Sequence, residues 1–179
     1  MIDIKENNSK NFAELQKALN IKNRSALPKI TKVTLNSSLG PLRHNKDAVE
    51  FVRASLQVIA GQKPAIRRAK KAIAGFKLRT GEEIGLVVTL RGQRMYDFLN
   101  RLINITLPRI RDFKGINVKA FDHQGNLSIG FKDHIPFAEL GHQAIDKQFG
   151  LSVTLTIINS NPVHSAKLLQ LLGFPLKAE

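Results

Sequence analysis

The sequence predicts an α+β fold of two layers: a mostly antiparallel sheet, helices on one face, and an open polar second face. Three observations lead there. Ile30–Asn36, Leu86–Arg91, Asn126–Phe131 and Leu151–Ile157 alternate apolar residues with small polar or basic ones. Other stretches carry apolar residues at helical spacing. No internal repeat or low-complexity linker divides the chain. One domain over residues 28–179, preceded by a segment 1–27 with a short helix, is the simplest organisation.

The elements follow in order. Residues 1–11 are polar and loosely ordered by expectation. Phe12, Leu15 and Leu19 predict a short helix over Phe12–Ile21. Pro28 leads into a strand in which Thr31, Val33 and Leu35 share one face and Lys32, Thr34 and Asn36 the other. Ser37–Pro41 is a turn. Ala48, Val52, Leu56 and Ile59 predict an amphipathic helix over Asp47–Ile59. Leu86, Val88 and Leu90 alternate with Val87, Thr89 and Arg91 in a second strand that Gly92 ends.

Met95, Phe98, Leu99, Leu102 and Ile103 then give the clearest helix, Arg94–Ile105, which Pro108 should stop. Ile116–Phe121 and Asn126–Phe131 flank Asp122-His123-Gln124-Gly125 and predict a hairpin. Leu151, Val153, Leu155 and Ile157 form a last strand. Asn161-Pro162 reads as a cap and first helical residue, and Gly173 as the C-terminal cap of a helix running to Leu172.

Charge narrows the function. The 179 residues hold 28 Lys and Arg against 14 Asp and Glu, a formal charge of +14. The pI is near 10.4. This excess points to nucleic acid or an anionic membrane as partner. No apolar run is long enough to span a bilayer, and the start Met1-Ile2-Asp3-Ile4-Lys5-Glu6 lacks the apolar core of a signal peptide. The expectation is therefore a cytoplasmic RNA-binding protein. The absence of cysteine excludes disulfides and thiolate metal sites.

The strongest signal is Gly61–Arg79. It carries Lys63, Arg67, Arg68, Lys70, Lys71, Lys77 and Arg79 and no acid. Like charges at this density repel one another, and a polyanion that neutralises them turns that cost into binding energy. Glycines and a proline break the block, so it reads as a basic arm or loop. Phe76 within it either anchors the loop to the core or lies against a nucleotide, with the anchor favoured. A second basic region, with Arg91, Arg94, Arg101, Arg109, Arg111, Lys114 and Lys119, is diluted by Asp97 and Asp112. It is either a solvated flank, with Arg101 on an exposed helix side, or a further nucleic-acid contact. The polar strand face suits phosphates and 2′-hydroxyls better than stacked bases, because it carries no aromatic residue.

Catalysis finds little support. The five histidines, His44, His123, His134, His142 and His164, show no metal spacing. Asp133-His134 and the pair His142 and Asp146 are the nearest approach to a site, and for the latter, an i,i+4 pair, a surface pair is the simpler reading. Gly61-Gln62-Lys63-Pro64 lacks the spacing of a Walker loop. Asn104-Ile105-Thr106 matches a glycosylation sequon but lies in a helix of a chain without an export signal. No catalytic residue, metal, cofactor or small-molecule substrate is expected. Two rivals differ in class: an rRNA-modifying enzyme, which lacks a visible cofactor loop or nucleophile, and an RNA chaperone, which would bind many RNAs equally.

Thr34-Leu35-Asn36, Gly61-Gln62-Lys63-Pro64, Ala74-Gly75-Phe76-Lys77-Leu78-Arg79, Val88-Thr89-Leu90-Arg91-Gly92 and Leu107-Pro108-Arg109-Ile110-Arg111-Asp112-Phe113 resemble the large-subunit ribosomal protein five family. Phe121-Asp122, Gly125-Asn126 and Leu172-Gly173-Phe174-Pro175 agree, and the likeness runs from about Leu27 to Pro175. The resemblance implies a non-catalytic protein of the large ribosomal subunit, bound to 5S rRNA and large-subunit rRNA in the central protuberance. It implies a 5S rRNA site on the open face and adjoining loops, here Lys32, Thr34, Asn36, Gln62, Lys63, Thr89 and Arg91.

By the same resemblance, the basic loop with Arg67, Arg68, Lys70, Lys71, Phe76, Lys77 and Arg79 approaches the elbow of the P-site tRNA. Arg109, Arg111, Asp112 and Phe113, with the region after Phe131, correspond to a bridge to small-subunit ribosomal protein thirteen. The chain departs from the family pattern at Ser37-Ser38, at Ile135-Pro136-Phe137-Ala138-Glu139, at Phe149, where arginine is common, and in the last helix with His164 and Lys167.

Overall fold

A computed structural model describes residues 14–144 and 148–177. Its regular elements are β1 (Lys29–Ser38), α1 (Lys46–Ala60), β2 (Ala65–Arg68), β3 (Glu83–Leu90), α2 (Gly92–Arg101), β4 (Leu127–Phe131), β5 (Leu151–Ile158) and α3 (Pro162–Leu171). A first helical turn occupies 14–19, with Leu15 buried and Asn20 at φ 52 ending it. Phe12, the other end of the expected helix, lies outside the described residues. The five strands form one open antiparallel sheet in the order β2-β3-β1-β5-β4, so the α+β expectation holds. The described chain divides into two compact units. One draws on Met1–Val33, Leu90–Ile129 and Thr154–Glu179, the other on Thr34–Thr89 and Gly130–Val153.

The Thr34–Thr89 unit is built on alternation. Leu35 of β1 and Leu86 and Val88 of β3 are buried, as are Ala48, Val52, Leu56 and Ile59 of α1, the face its spacing predicts. Asn45 starts α1 because its Oδ1 accepts from the Ala48 N–H at 3.1 Å. Gly61 ends it in the left-handed region, φ 64, and its N–H donates to the Gln57 carbonyl at 2.8 Å. Ser37 occupies an apolar-face position and is 1% exposed. Its hydroxyl donates to the Gly150 carbonyl at 2.9 Å, which removes the cost of burying it.

Phe149 and His134 are both buried, with rings stacked 4.4 Å apart at 9°. Phe51 meets His134 edge-on at 6.1 Å. His134 is therefore a core residue. The alternative pair, His142 and Asp146, lies outside what is described: Asp146 is not among the described residues, nor is the His142 side chain.

In the other unit, α2 buries Met95, Phe98 and Leu99, and the apolar stripe continues through Leu102 and Ile103 as predicted. Pro108 does not simply stop it. The helix is α only to Arg101, widens to a π turn over Leu102–Thr106 and tightens to a 3-10 turn over Leu107–Arg109. Pro108 has no N–H for the Asn104 carbonyl and its ring would strike that carbonyl in α geometry. The wider turn absorbs the misfit, and the Leu107 N–H donates to the Leu102 carbonyl, five residues back.

The expected hairpin is half right. Ile116–Phe121 is not a strand: Asn117 Oδ1 accepts from the Lys119 N–H at 3.0 Å and folds Val118–Ala120 into a 3-10 turn. Only Phe121 bridges Leu127, and Ile116 pairs instead with Leu176 in parallel. The turn itself forms. Asn161 and Pro162 start α3 as expected, with Asn161 Oδ1 accepting from the His164 N–H at 2.8 Å. Gly173 follows the helix at φ 88.

Candidate nucleic-acid interface

Alternation sets one face of the Thr34–Thr89 unit. Gly85, Val87 and Thr89 point away from the Leu86 and Val88 side of β3. Antiparallel pairing puts Arg67 opposite Gly85 and Ala65 opposite Val87, so Arg67 joins that face. Asn36 belongs to it too, since its Oδ1 lies 3.9 Å from where a Gly85 Cβ would stand. The same Cβ would come within 3.2 Å of the Ser37 carbonyl oxygen, which accounts for a glycine inside a strand.

The surface thus combines half-buried Thr34 and Thr89, exposed Asn36 and one arginine around the buried Gly85, with no aromatic ring. Gln62, half-buried just past α1, donates to the Thr89 carbonyl at 3.4 Å, and Lys63 beside it is exposed. Structure thereby draws Thr34, Asn36, Gln62, Lys63 and Thr89 into one unit. Lys32, half-buried, and Arg91, exposed and preceding α2, fall in the other unit.

The basic block is not the free arm that its glycines suggest. Ala65–Arg68 is strand β2, paired with β3 through a register shift between Arg67 and Arg68. Beyond it the chain stays hydrogen-bonded. Ala69 N–H donates to the Glu82 carbonyl at 2.8 Å and Gly81 N–H to the Ala69 carbonyl at 2.9 Å. Ile73 and Leu78 exchange both backbone bonds, at 3.0 and 3.1 Å. Ala74–Phe76 turns the tip, with Lys77 at φ 50.

Phe76 is 71% exposed, so, contrary to the anchor expected from sequence, it does not fasten this tip to the core. Ile73 beside it is 46% exposed. Lys70, Lys71, Lys77 and Arg79 are exposed, and among the described residues no carboxylate pairs with them. Arg68 differs, with its Nη2 3.7 Å from Glu83 Oε1.

Sequence reasoning missed Arg43, Glu82 and Glu83. The acids stand three and four residues past Arg79, just outside the block whose charge they offset. Arg43 Nε lies 3.3 Å from Glu82 Oε1, and Arg43 Nη2 donates to the carbonyls of Phe76 at 2.7 Å and Lys77 at 3.2 Å. An open cleft of about 720 Å³ lies alongside, lined by His44, Lys77, Leu78, Arg79, Thr80 and Glu82.

In the other unit Arg109, Arg111 and Asp112 are exposed and Phe113 is half-buried. Asp112 adopts φ 55, and Arg111 Nε stands 4.0 Å from its carboxylate. Arg101 is half-buried rather than on an exposed flank. Asp122 organises the turn that follows: its Oδ1 accepts from the N–H groups of Gln124 at 2.9 Å and Asn126 at 2.7 Å. Oδ2 accepts from Asn126 Nδ2 at 2.7 Å. The bond from the Asn126 side chain, with the backbone donors, holds the Asp122 carboxyl below the usual carboxylate range. Among the described residues no cluster of His, Asp and Glu could hold a metal, and no helix is long and apolar enough to cross a membrane.

A basic chain with a polar, aromatic-free strand face and an exposed cationic tip has the electrostatic footprint of a nucleic-acid-binding protein. Comparison with known proteins narrows this. Residues 23–79 match the family described as "Ribosomal protein L5", and residues 83–176 match the C-terminal region of the same ribosomal family. "Large ribosomal subunit protein uL5" of Dehalococcoides mccartyi is 47% identical over 179 residues, covering 100% of both chains. "Large ribosomal subunit protein uL5c" of Gracilaria tenuistipitata var. liui is 46% identical over 168 residues, 94% of each chain. The Francisella philomiragia uL5 is 46% identical over 166 residues, 93% of each chain. The chain belongs to the ribosomal protein L5 family, and as such is a non-enzymatic component of the large ribosomal subunit with ribosomal RNA as its partner.

Proposed function

We propose that this chain fastens 5S rRNA into the central protuberance through the polar sheet face and reaches P-site tRNA with the tip of its basic hairpin. The observation that carries the first half is the face of Thr34, Asn36, Arg67 and Thr89 gathered around Gly85, where no side chain separates them. It offers hydroxyl, amide and guanidinium groups that suit a ribose-phosphate backbone. Gln62 and Lys63 extend it, and Lys32 and Arg91 are the remaining contacts the family resemblance assigns to 5S rRNA.

The register of β2, with Arg67 opposite Gly85, supports counting Arg67 with the sheet face rather than with the tip. The tip set is then Lys70, Lys71, Phe76, Lys77 and Arg79, with Arg68 partly neutralised by Glu83. The exposed Phe76 ring, among four cations, suits a nucleotide face. The exposed group Arg109, Arg111 and Asp112, with Phe113, is assigned by the resemblance to small-subunit ribosomal protein thirteen.

Competition binding tests the reading. The protein should hold 5S rRNA at least tenfold more tightly than an unrelated RNA of equal length at physiological salt, and affinity for both should fall steeply as salt rises. Equal affinity for the two RNAs would describe an RNA chaperone instead.

A further inference from the structure

Arg43 lies outside every surface assigned above, yet it makes the densest set of polar contacts near the tip. Its side chain is 13% exposed. Nε faces Glu82 Oε1 at 3.3 Å and also donates to His44 Nε2 at 3.1 Å. Nη2 donates to the carbonyls of Phe76 and Lys77. Those carbonyls end the tip's 3-10 turn, and Lys77 there adopts the left-handed region. Glu82 closes the other side: its Oε2 accepts from the Arg79 N–H at 3.0 Å. One guanidinium and one carboxylate therefore tie Phe76, Lys77 and Arg79 to the chain on either side of the tip. A planar fork can serve a carboxylate and two carbonyls at once, which a lysine ammonium on a flexible stem cannot reproduce.

We infer that Arg43 and Glu82 are positioning residues: together they hold the basic tip in the shape that presents Lys70, Lys71, Phe76, Lys77 and Arg79 to RNA. The inference rests on the tip being the RNA contact proposed above. Without the clamp, four neighbouring cations and a solvent-exposed phenyl ring are held against their own repulsion by short-range backbone bonds alone, chiefly the Ile73–Leu78 pair and the turn between them. A tip ordered before binding loses less entropy when RNA arrives.

The sign of a charge change separates this role from simple electrostatics. Glu82→Ala raises the net charge by one, so long-range attraction alone would tighten RNA contact. The clamp requires the opposite. On ribosomes carrying Glu82→Ala, P-site tRNA should dissociate faster, by roughly two- to thirtyfold. Arg43→Lys, which keeps the charge and would preserve a direct phosphate contact, should show the same direction.

In the free protein, both variants should speed hydrogen exchange at the Ile73 and Leu78 amides and leave Leu35 and Val88 unchanged. Slower or unchanged tRNA release in Glu82→Ala, or unchanged exchange at Ile73 and Leu78, overturns the inference. Neutralising Lys70, Lys71, Lys77 and Arg79 together locates the fault. If that variant also leaves tRNA release unchanged while exchange accelerates in the clamp variants, the RNA role of the tip has failed and not the clamp.

Discussion

Asp122 acts on stability from the surface. It collects two backbone N–H groups and the Asn126 side chain, and Asn126 Oδ1 in turn accepts from the Ile157 N–H at 3.0 Å. Its carboxyl is held below the ordinary range, so the charged form is favoured by folding. The sign follows: this contribution is present above the pKa of the unfolded chain and is lost as pH falls through the lower folded value. Asp122→Asn should therefore flatten the acid limb of thermal stability, and identical pH profiles for the variant and the parent protein would remove Asp122 as its source.

Gly125 gives a larger effect. It sits at φ 80, and an added Cβ would lie 2.8 Å from the Asn161 carbonyl oxygen. Gly125→Ala should cost about 2 kcal/mol or more and lower Tm by roughly 4–8 °C, readable by calorimetry. At this scale the caps were legible, because Asn45, Gly61, Asn161 and Gly173 act on backbone within a few residues of themselves. Arg43 was not, because its carbonyl partner Phe76 is 33 residues away. Phe76 was misjudged because a lone aromatic residue carries no sequence sign of which way it points.

Strands and helices were read from period, and period served wherever one face is buried. β1, β3, β5 and α1 appear where alternation and helical spacing put them. Two elements escaped for stated reasons. Ile116–Phe121 has strand composition, but the local bond from Asn117 wins over pairing. Ala65–Arg68 has a composition that argues for a loop, yet pairing with β3 makes it a strand, and the cost of like charge is relieved by Glu83. On the proposed reading, that strand separates the block into two jobs. Neutralising Lys70, Lys71, Lys77 and Arg79 should leave both 5S rRNA affinity and its salt slope within error of the parent. Ribosomes with that variant should instead release P-site tRNA sooner. A salt slope lowered by about three to four, roughly one for each cation removed, would mean the tip grips 5S rRNA directly.

For the whole molecule, charge and family motifs were legible in the sequence, and the division into two compact units was not, since it depends on contacts distant in the chain. A net charge of +14 defines a protein that any RNA attracts. Selectivity has to come from the small uncharged groups that face RNA at close range. The central claim is that the sheet face, and not the tip, anchors 5S rRNA. Side-by-side equilibrium binding of 5S rRNA to Asn36→Ala with Thr89→Ala and to the four-cation tip variant tests it most directly. The sheet pair should lose about 2 kcal/mol, roughly thirtyfold in Kd, with the tip variant near the parent. A tip variant that releases 5S rRNA while the sheet pair keeps it would contradict the account and reverse the two faces.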